Sequence, residues 1–199
     1  MSITCGIDEA GRGPLAGPVY AAAVILNKDF PRGLLNDSKK LSEAKREDLR
    51  RLICENATAW GIASASHEEI DKINILQASL LAMKRAFEEM IKMATQKQTL
   101  PQNENISVIV DGNKVPSLSA CGGFSVSCEA VVKADAKIHE VMAASILAKT
   151  ARDAYMDEMA KLYPVYGYEK HKGYPTKAHR QAVLKYGPSP IQRLTFTVK

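Results

Sequence analysis

The chain has 199 residues, of which 46% are hydrophobic and 25% are charged. These values are typical of a globular protein with one sizeable core, and the length leaves little room for a second full domain. No apolar run is long enough to cross a bilayer, and the N-terminus lacks the basic-then-apolar pattern of a signal peptide. The four cysteines show no C-x-x-C spacing, which favours reduced thiols in a cytoplasmic protein over a disulfide framework or a zinc site.

The positive charge is concentrated near the C-terminus. The net charge is +5, and residues 161–199 contain eight Lys or Arg residues against one acid, together with five of the seven tyrosines. Cations mixed with aromatic rings suit a nucleic-acid backbone, because phosphates attract the charge while sugars and bases pack on the rings. A lysine-rich surface whose tyrosines anchor loops explains the same composition equally well.

Apolar patterns predict an α/β chain with five strands. The first strand ends near Glu9, and the others lie at 19–26, 59–65, 106–113 and 125–133. Helical spacing predicts helices at 43–56, 75–97 and 134–162, and a final helix near the C-terminus. Ser42 and Thr176 are the predicted N-caps of the first and last helices. We expect a single domain over 1–199, with 161–199 as a basic, helical extension.

Two adjacent acids, Asp8 and Glu9, stand where the first strand ends in a Gly-Arg-Gly turn. Neighbouring carboxylates repel each other unless a cation offsets them, and a divalent metal is a common solution. Gly11 and Gly13 leave room for backbone N–H groups to approach a sugar or phosphate, and Arg12 adds a cation. A solvated acidic turn is the alternative. Because strand residues alternate between faces, we expect the backbone to leave the sheet near Glu9.

Two further acids stand at the ends of predicted elements. Asp111 ends the fourth strand, although Asp-Gly is also common turn chemistry, and Asp135 is predicted in the first turn of a helix, where the helix dipole favours it. If the first and fourth strands are neighbours, these two acids join Asp8 and Glu9. Hard cations prefer such oxygen ligands, and two ions about 3.5–4 Å apart are a common arrangement for phosphodiester cleavage.

Several motifs together make the chain similar to the type 2 ribonucleases H, in particular the ribonuclease HII family. The similarity spans nearly the whole chain, and the first and fifth motifs are the most specific. In chain order, the motifs are IDEAGRGP at 7–14, DSKKL at 37–41, VDG at 110–112, KAD at 133–135, AASILAK at 143–149 and GYPTKAH at 173–179.

The resemblance implies an RNase H-like fold with a mixed five-stranded sheet flanked by helices and a helical C-terminal segment. The implied catalytic and metal-binding residues are Asp8, Glu9, Asp111 and Asp135, with Mg²⁺ or Mn²⁺ in a two-metal site. The implied substrate-binding residues are Gly11, Arg12, Gly13, Lys39, Ser145 and Tyr174.

The implied reaction is endonucleolytic. Its substrates are the RNA strand of RNA/DNA hybrids and single ribonucleotides in duplex DNA, cut on the 5′ side to leave a 3′-hydroxyl and a 5′-phosphate. We expect a cytoplasmic monomer that does not associate with a membrane, and its protein partners are unspecified.

The sequence departs from the family pattern in two places. Gln192 stands where the family pattern predicts histidine, and the segment IHEV at 138–141 is more polar than expected. Two alternative functions remain open at this point: a hybrid-binding module without catalysis, and another two-metal nuclease such as a junction resolvase. Four intact acids argue against the first, and the Gly-Arg-Gly turn with Tyr174 argues against the second.

Overall fold

Five strands form one mixed sheet in the computed structural model of the chain, which describes residues 2–35, 41–101, 104–118 and 123–197. The sheet order is β3-β2-β1-β4-β5, in which β4 is parallel to β1 and β5, and β2 is antiparallel to β1 and β3. This confirms the predicted mixed sheet. The strands are β1 (Ser2–Ala10), β2 (Val19–Leu26), β3 (Ala57–Ala65), β4 (Asn105–Asp111) and β5 (Ser125–Val131).

Helices cover both faces of this sheet. Helix α2 packs on one face, and α1 and α3 pack on the other. Alternate residues of β2 enter the two cores, with Ala23 facing α2 and Val24 facing α1 and α3, so this interior strand is an unbroken apolar run. The helices of the described residues are α1 (Glu43–Asn56), α2 (His67–Lys97), α3 (His139–Leu162), α4 (Tyr168–His171) and α5 (Lys177–Tyr186). None of these helices is long and apolar enough to span a bilayer.

Helix α3 lies unusually close to β1. A Cβ atom on Gly6 would overlap the backbone of Glu140 and Val141, so only glycine fits at this crossing. The alanines at 143, 144 and 148 are fully buried against the sheet. This close contact places the middle of α3 beside the C-terminal end of β1.

Helix α2 begins eight residues before the predicted start at residue 75. Ser66 and Glu69 form a reciprocal capping box at its true N-terminus. Asn74 then interrupts the helix with a φ of 66°, and its Oδ1 accepts hydrogen bonds from the N–H groups of Leu76 and Gln77. Asn74 thus caps the second part of the helix, which explains why the apolar periodicity appeared to start there.

The predicted helix start at residue 134 is wrong. Residues Ala134–Ala136 form a separate 3-10 turn, and α3 begins only at His139. Lys133 has a φ of 59° and Ile138 is extended, so the chain changes direction on both sides of this turn. Ser42 and Thr176 are N-caps of α1 and α5 as predicted. The helical C-terminal segment is confirmed by α4 and α5.

Candidate metal and nucleic-acid site

The parallel pairing of β1 with β4 brings two of the predicted acids together. The last paired residues of these strands are Ile7 and Val110, and Asp8 and Asp111 follow them directly. Parallel neighbours end at the same edge of a sheet, so the two carboxylates share one side of the molecule. The hypothesis that the first and fourth strands are neighbours is therefore confirmed.

Asp135 reaches the same place through the 3-10 turn that follows β5. The N–H of Ala134 donates a 2.7 Å hydrogen bond to Oδ1 of Asp111, which ties this turn to the end of β4. Oxygen atoms of Asp8, Asp111 and Asp135 all lie within 4.8 Å of one another. Asp8 and Asp135 are buried, so this group forms a pocket rather than a solvated patch.

Glu9 lies outside this group of three carboxylates, but it lines the same cleft as Asp8 and Asp111. The expectation that the backbone leaves the sheet near Glu9 is wrong, because β1 stays paired with β2 through Ala10. Pairing with β4 ends earlier, at Ile7, so no paired strand fills the space beside Glu9 on that side. The backbone of Glu9 therefore remains in the sheet while the residue lines the cleft.

Burial and mutual repulsion destabilise the charged forms of these acids. Burial raises the pKa of Asp8, and the charges of Glu9 and Asp111 raise it further, while a hydrogen bond with Ser145 lowers it in part. Burial also raises the pKa of Glu9, and the Arg12 guanidinium, 3.2 Å from its Oε1, opposes that shift. Both shifts show that bare carboxylates are held here at a cost.

The donor set fits one or two hard divalent cations. All of the converging groups are carboxylates, the ligands that Mg²⁺ and Mn²⁺ prefer. In addition, Oε2 of Glu9 is buried and has no hydrogen-bond partner among the described residues. A bound cation would satisfy this oxygen and relieve the repulsion between the acids.

The Gly-Arg-Gly turn and Tyr174 line the same cleft, whose volume is ≈ 270 Å³. Gly11 has a φ of 100°, and a Cβ there would overlap the side chain of Arg152, so the position requires glycine. The Tyr174 ring is 41% exposed and stands within van der Waals distance of where a Gly13 Cβ would be. The structure thus brings the turn, Tyr174 and the acids into one cleft.

Of the two remaining predicted substrate-binding residues, the structure describes only one, Ser145. Ser145 lies on α3, is buried and lines the cleft next to Asp8. Lys39 lies outside the described residues. Lys149 also lines the cleft and is held by both carboxylate oxygens of Asp153 at 2.6 Å, although the sequence analysis gave it no individual role.

Two buried arginines that the sequence analysis did not single out also contact this site, Arg152 on α3 and Arg193 near the C-terminus. Arg152 had a detectable signal, because it lies four residues from both Ala148 and Met156 on the buried stripe of a helix. Arg193 lies in an irregular segment, where no periodicity marks it as buried.

Two stacked histidines hold the loop that carries Tyr174. Nδ1 of His179 must donate to the carbonyl of Tyr174 at 3.0 Å, since a carbonyl only accepts. Nδ1 of His171 accepts from the N–H of Gly173 at 3.2 Å, so its Nε2 donates to the carbonyl of Tyr166. The rings are parallel within 15° and 4.6 Å apart. His171 is therefore held as a neutral ring, and the buried Nε2 of His179, which has no partner among the described residues, disfavours a second proton there.

This histidine pair predicts lower stability in mild acid. Burial lowers the pKa of both His171 and His179, so the folded state favours the neutral form of each ring. In the unfolded chain they take up protons near pH 6.5, so the unfolded state binds more protons and stability falls as the pH decreases through that value. Urea unfolding at pH 7.5, 6.5 and 5.5 should show this loss. In His179→Asn, whose amide keeps the donor to Tyr174, the loss should be smaller; an equal loss would contradict the assignment.

The basic C-terminal extension is only partly available to a ligand. Tyr166 and Tyr168 are buried and stacked with centroids 5.6 Å apart, so these two anchor the fold. Arg193 is fully buried, and Lys172 is paired with Asp157. The exposed cations and rings of the described part are Lys161, Lys170, Lys177, Lys185, Tyr174 and Tyr186.

Comparison with known structures defines the class. The ribonuclease H2 of Pyrococcus horikoshii superposes with a TM-score of 0.74 at 26% identity, covering 98% of this chain and 94% of that one. A ribonuclease HII of Archaeoglobus fulgidus, solved in complex with PCNA, gives 0.72 at 26% identity, covering 99% and 96%. The fold is thus RNase H-like, and the Bst-RNase HIII complex with Mn²⁺ shares it at a TM-score of 0.71 and 15% identity, covering 98% of this chain and 67% of that one.

Sequence comparison narrows this class to one family. The ribonuclease HII family model matches residues 5–199. A ribonuclease HII of Treponema denticola is 54% identical over 198 residues, covering 98% of both chains, and that of Dechloromonas aromatica is 52% identical over 196 residues, covering 98% of this chain and 91% of the relative. The chain belongs to the ribonuclease HII family, the type 2 ribonuclease H endonucleases. The predicted family and enzyme class are confirmed.

Proposed function

We propose that this protein is a metal-dependent endonuclease that hydrolyses the RNA strand of RNA/DNA hybrids and cuts on the 5′ side of single ribonucleotides in duplex DNA. The products would carry a 3′-hydroxyl and a 5′-phosphate. The observation that carries the proposal is the shared cleft, which is lined by carboxylates suited to metals, a glycine-containing turn and an exposed tyrosine. Membership in the ribonuclease HII family supports the same chemistry.

Asp8, Glu9, Asp111 and Asp135 are the proposed holders of Mg²⁺ or Mn²⁺. Bound there, such ions would supply an activated water for attack on the phosphodiester and charge stabilisation for the leaving oxygen. Ser145 supports this arrangement by its hydrogen bond to Asp8. Lys149 and Lys39 are cationic and would contact substrate phosphates.

The Gly-Arg-Gly turn and Tyr174 would recognise the sugar. A 2′-hydroxyl both donates and accepts hydrogen bonds, and the backbone of Gly11, Arg12 and Gly13 offers groups that side chains do not obstruct. Tyr174 would pack on the neighbouring deoxyribose where RNA gives way to DNA. Discrimination follows because a deoxyribose would leave the polar groups of this turn unpaired.

A single substrate pair tests the proposal. The protein and Mg²⁺ are incubated with a DNA duplex carrying one ribonucleotide, beside the same duplex made only of DNA. We expect one cut on the 5′ side of the ribonucleotide and none in the control. Cutting of both duplexes, or of neither, would refute the proposed function.

We also propose that the extension at 161–199 contacts the duplex backbone through its exposed lysines. Replacing both Lys170 and Lys177 with Ala should weaken binding to hybrid and DNA duplexes alike. It should reduce the slope of log K against log salt by about 0.9 per lost phosphate contact. Lys84→Ala with Lys92→Ala on α2 is the matched control, since these lysines pair with acids away from the cleft. An equal change in slope for both pairs would contradict the assignment.

The proposed setting is the cytoplasm, and the proposed active form is a monomer. Cys5, Cys54 and Cys128 are free thiols, which fits a reducing compartment.

A further inference from the structure

Arg193 and Arg152 are almost completely buried, with exposures of 0% and 1%. All of their described hydrogen bonds go to backbone carbonyl oxygens. A buried guanidinium is costly unless its donors are well satisfied, so the carbonyls that surround it must be held in place. Burial and the charge of Arg152 lower the pKa of Arg193, which reflects this cost.

Arg193 binds four carbonyls of the loop between β1 and β2. Its Nη2 donates to Gly11 at 2.6 Å, and its Nη1 donates to Arg12 at 3.0 Å and to Pro14 at 2.8 Å. Its Nε donates to Gly17 at 2.8 Å. A planar guanidinium with five donors can reach four carbonyls at once, whereas the single ammonium of lysine cannot.

These bonds fix which way the Gly-Arg-Gly turn faces. The carbonyls of Gly11 and Arg12 point at the buried guanidinium. In a planar trans peptide the next N–H points in the opposite direction, so the amides of Arg12 and Gly13 point away from Arg193. Within the described part of the chain these two amides have no hydrogen-bond acceptor, and both residues line the cleft. Arg193 thus leaves two donors without a described acceptor on residues that line the cleft.

Arg152 connects this loop to Tyr174. Its guanidinium donates to the carbonyls of Ala16 and Pro18 at 3.1 Å each and to that of Lys172 at 3.0 Å. The guanidinium carbon also lies 5.8 Å from the centroid of the Tyr174 ring. The loop and the tyrosine are therefore held by one side chain.

We propose that Arg193, assisted by Arg152, is a positioning residue that turns the amides of Arg12 and Gly13 toward the ribose and so sets the preference for a ribonucleotide. This inference rests on the proposed function. It assigns sugar selectivity to a side chain that is too buried to touch the substrate itself.

Arg193→Lys tests the inference because it keeps the positive charge but replaces the planar guanidinium with a single ammonium group. We expect kcat/KM on a duplex with one ribonucleotide to fall by at least about tenfold, the loss of one well-made hydrogen bond. The inhibition constant of the all-DNA duplex should change by less than about twofold, since that duplex offers no 2′-hydroxyl to these amides. Hydrogen exchange at Leu15 and Gly17, whose amides bond to Gly173 and Ile191, should become faster.

Arg85→Lys is the matched control. Arg85 also donates to a backbone carbonyl, that of Ser64, and pairs with Glu69, but it lies away from the cleft. Its substitution should lower the melting temperature. It should not change kcat/KM on the ribonucleotide duplex relative to the inhibition constant of the all-DNA duplex. If Arg193→Lys behaves in the same way, with slow exchange in the loop, the positioning role is refuted while the nuclease function stands.

Asp71→Ala is a milder second variant if Arg193→Lys does not fold. Asp71 accepts hydrogen bonds from Leu194 and Thr195 and so anchors the segment that carries Arg193. We expect a smaller loss of the preference for the ribonucleotide duplex over the all-DNA duplex. An unchanged preference would overturn the inference. If the wild-type protein cuts no ribonucleotide, the proposed function fails. Loop exchange in either variant then still decides whether Arg193 positions the turn.

Discussion

Asp8→Asn should lose cleavage of both hybrid and single-ribonucleotide substrates by about 10³-fold or more, while the protein still folds and binds duplex. Asparagine has nearly the same shape, and its Oδ1 can still accept the N–H of Glu9, which lies 2.7 Å from the carboxylate. The substitution removes the negative charge of the carboxylate, which a divalent ion needs for binding. Such ions stabilise a transition state by several kcal/mol, and each 1.36 kcal/mol corresponds to a factor of ten in rate.

The same substitution should leave the metal-free protein as stable as the wild type or slightly more stable. The pKa of Asp8 is raised by burial and by repulsion from Glu9 and Asp111, so at pH values above the unfolded pKa of an aspartate this side chain lowers the stability of the fold. Glu69→Gln is the control, because Glu69 is bound to Arg85 and belongs to the N-terminus of α2. It should lower the melting temperature and keep the activity. Cleavage at the wild-type rate by Asp8→Asn would refute the site.

Tyr174→Ala should separate sugar recognition from chemistry. Cleavage at a single embedded ribonucleotide should fall by about 5- to 150-fold, which corresponds to the roughly 1–3 kcal/mol of a lost stacking contact. Cleavage of a continuous RNA strand paired with DNA should fall much less, because only the embedded ribonucleotide depends on the step from RNA to DNA. The melting temperature should change little, because the ring is 41% exposed.

Tyr186→Ala is the matched control for that experiment. Tyr186 is 49% exposed on α5 and contacts Tyr166 at its edge, outside the cleft. It should leave the ratio of the two activities unchanged. If Tyr174→Ala lowers both activities equally and also destabilises the protein, the tyrosine is a structural plug between the C-terminal helices and the sheet.

Much of the fold and of the candidate site was predictable from local patterns. The apolar run of β2 and the small residues of α3 identified the central layers, because burial leaves a periodic trace in sequence. Caps such as Ser42 and Thr176 were predictable, since they act within one helical turn. The acids at the strand ends were also visible in the local pattern, because a carboxylate directly after an apolar run marks the place where a buried strand ends in a polar group.

Boundaries and long-range contacts required the tertiary structure. The sequence alone determined that Asp8, Glu9, Asp111 and Asp135 were candidates, but only the parallel pairing of β1 with β4 brought the acids of those strands together. Arg193 holds a turn about 180 residues away, through bonds to carbonyls that every residue possesses. Such bonds leave no pattern in the sequence, because any residue type can supply the acceptor. The tertiary structure therefore decided how the Gly-Arg-Gly turn is held, while its composition was already visible in the first fourteen residues.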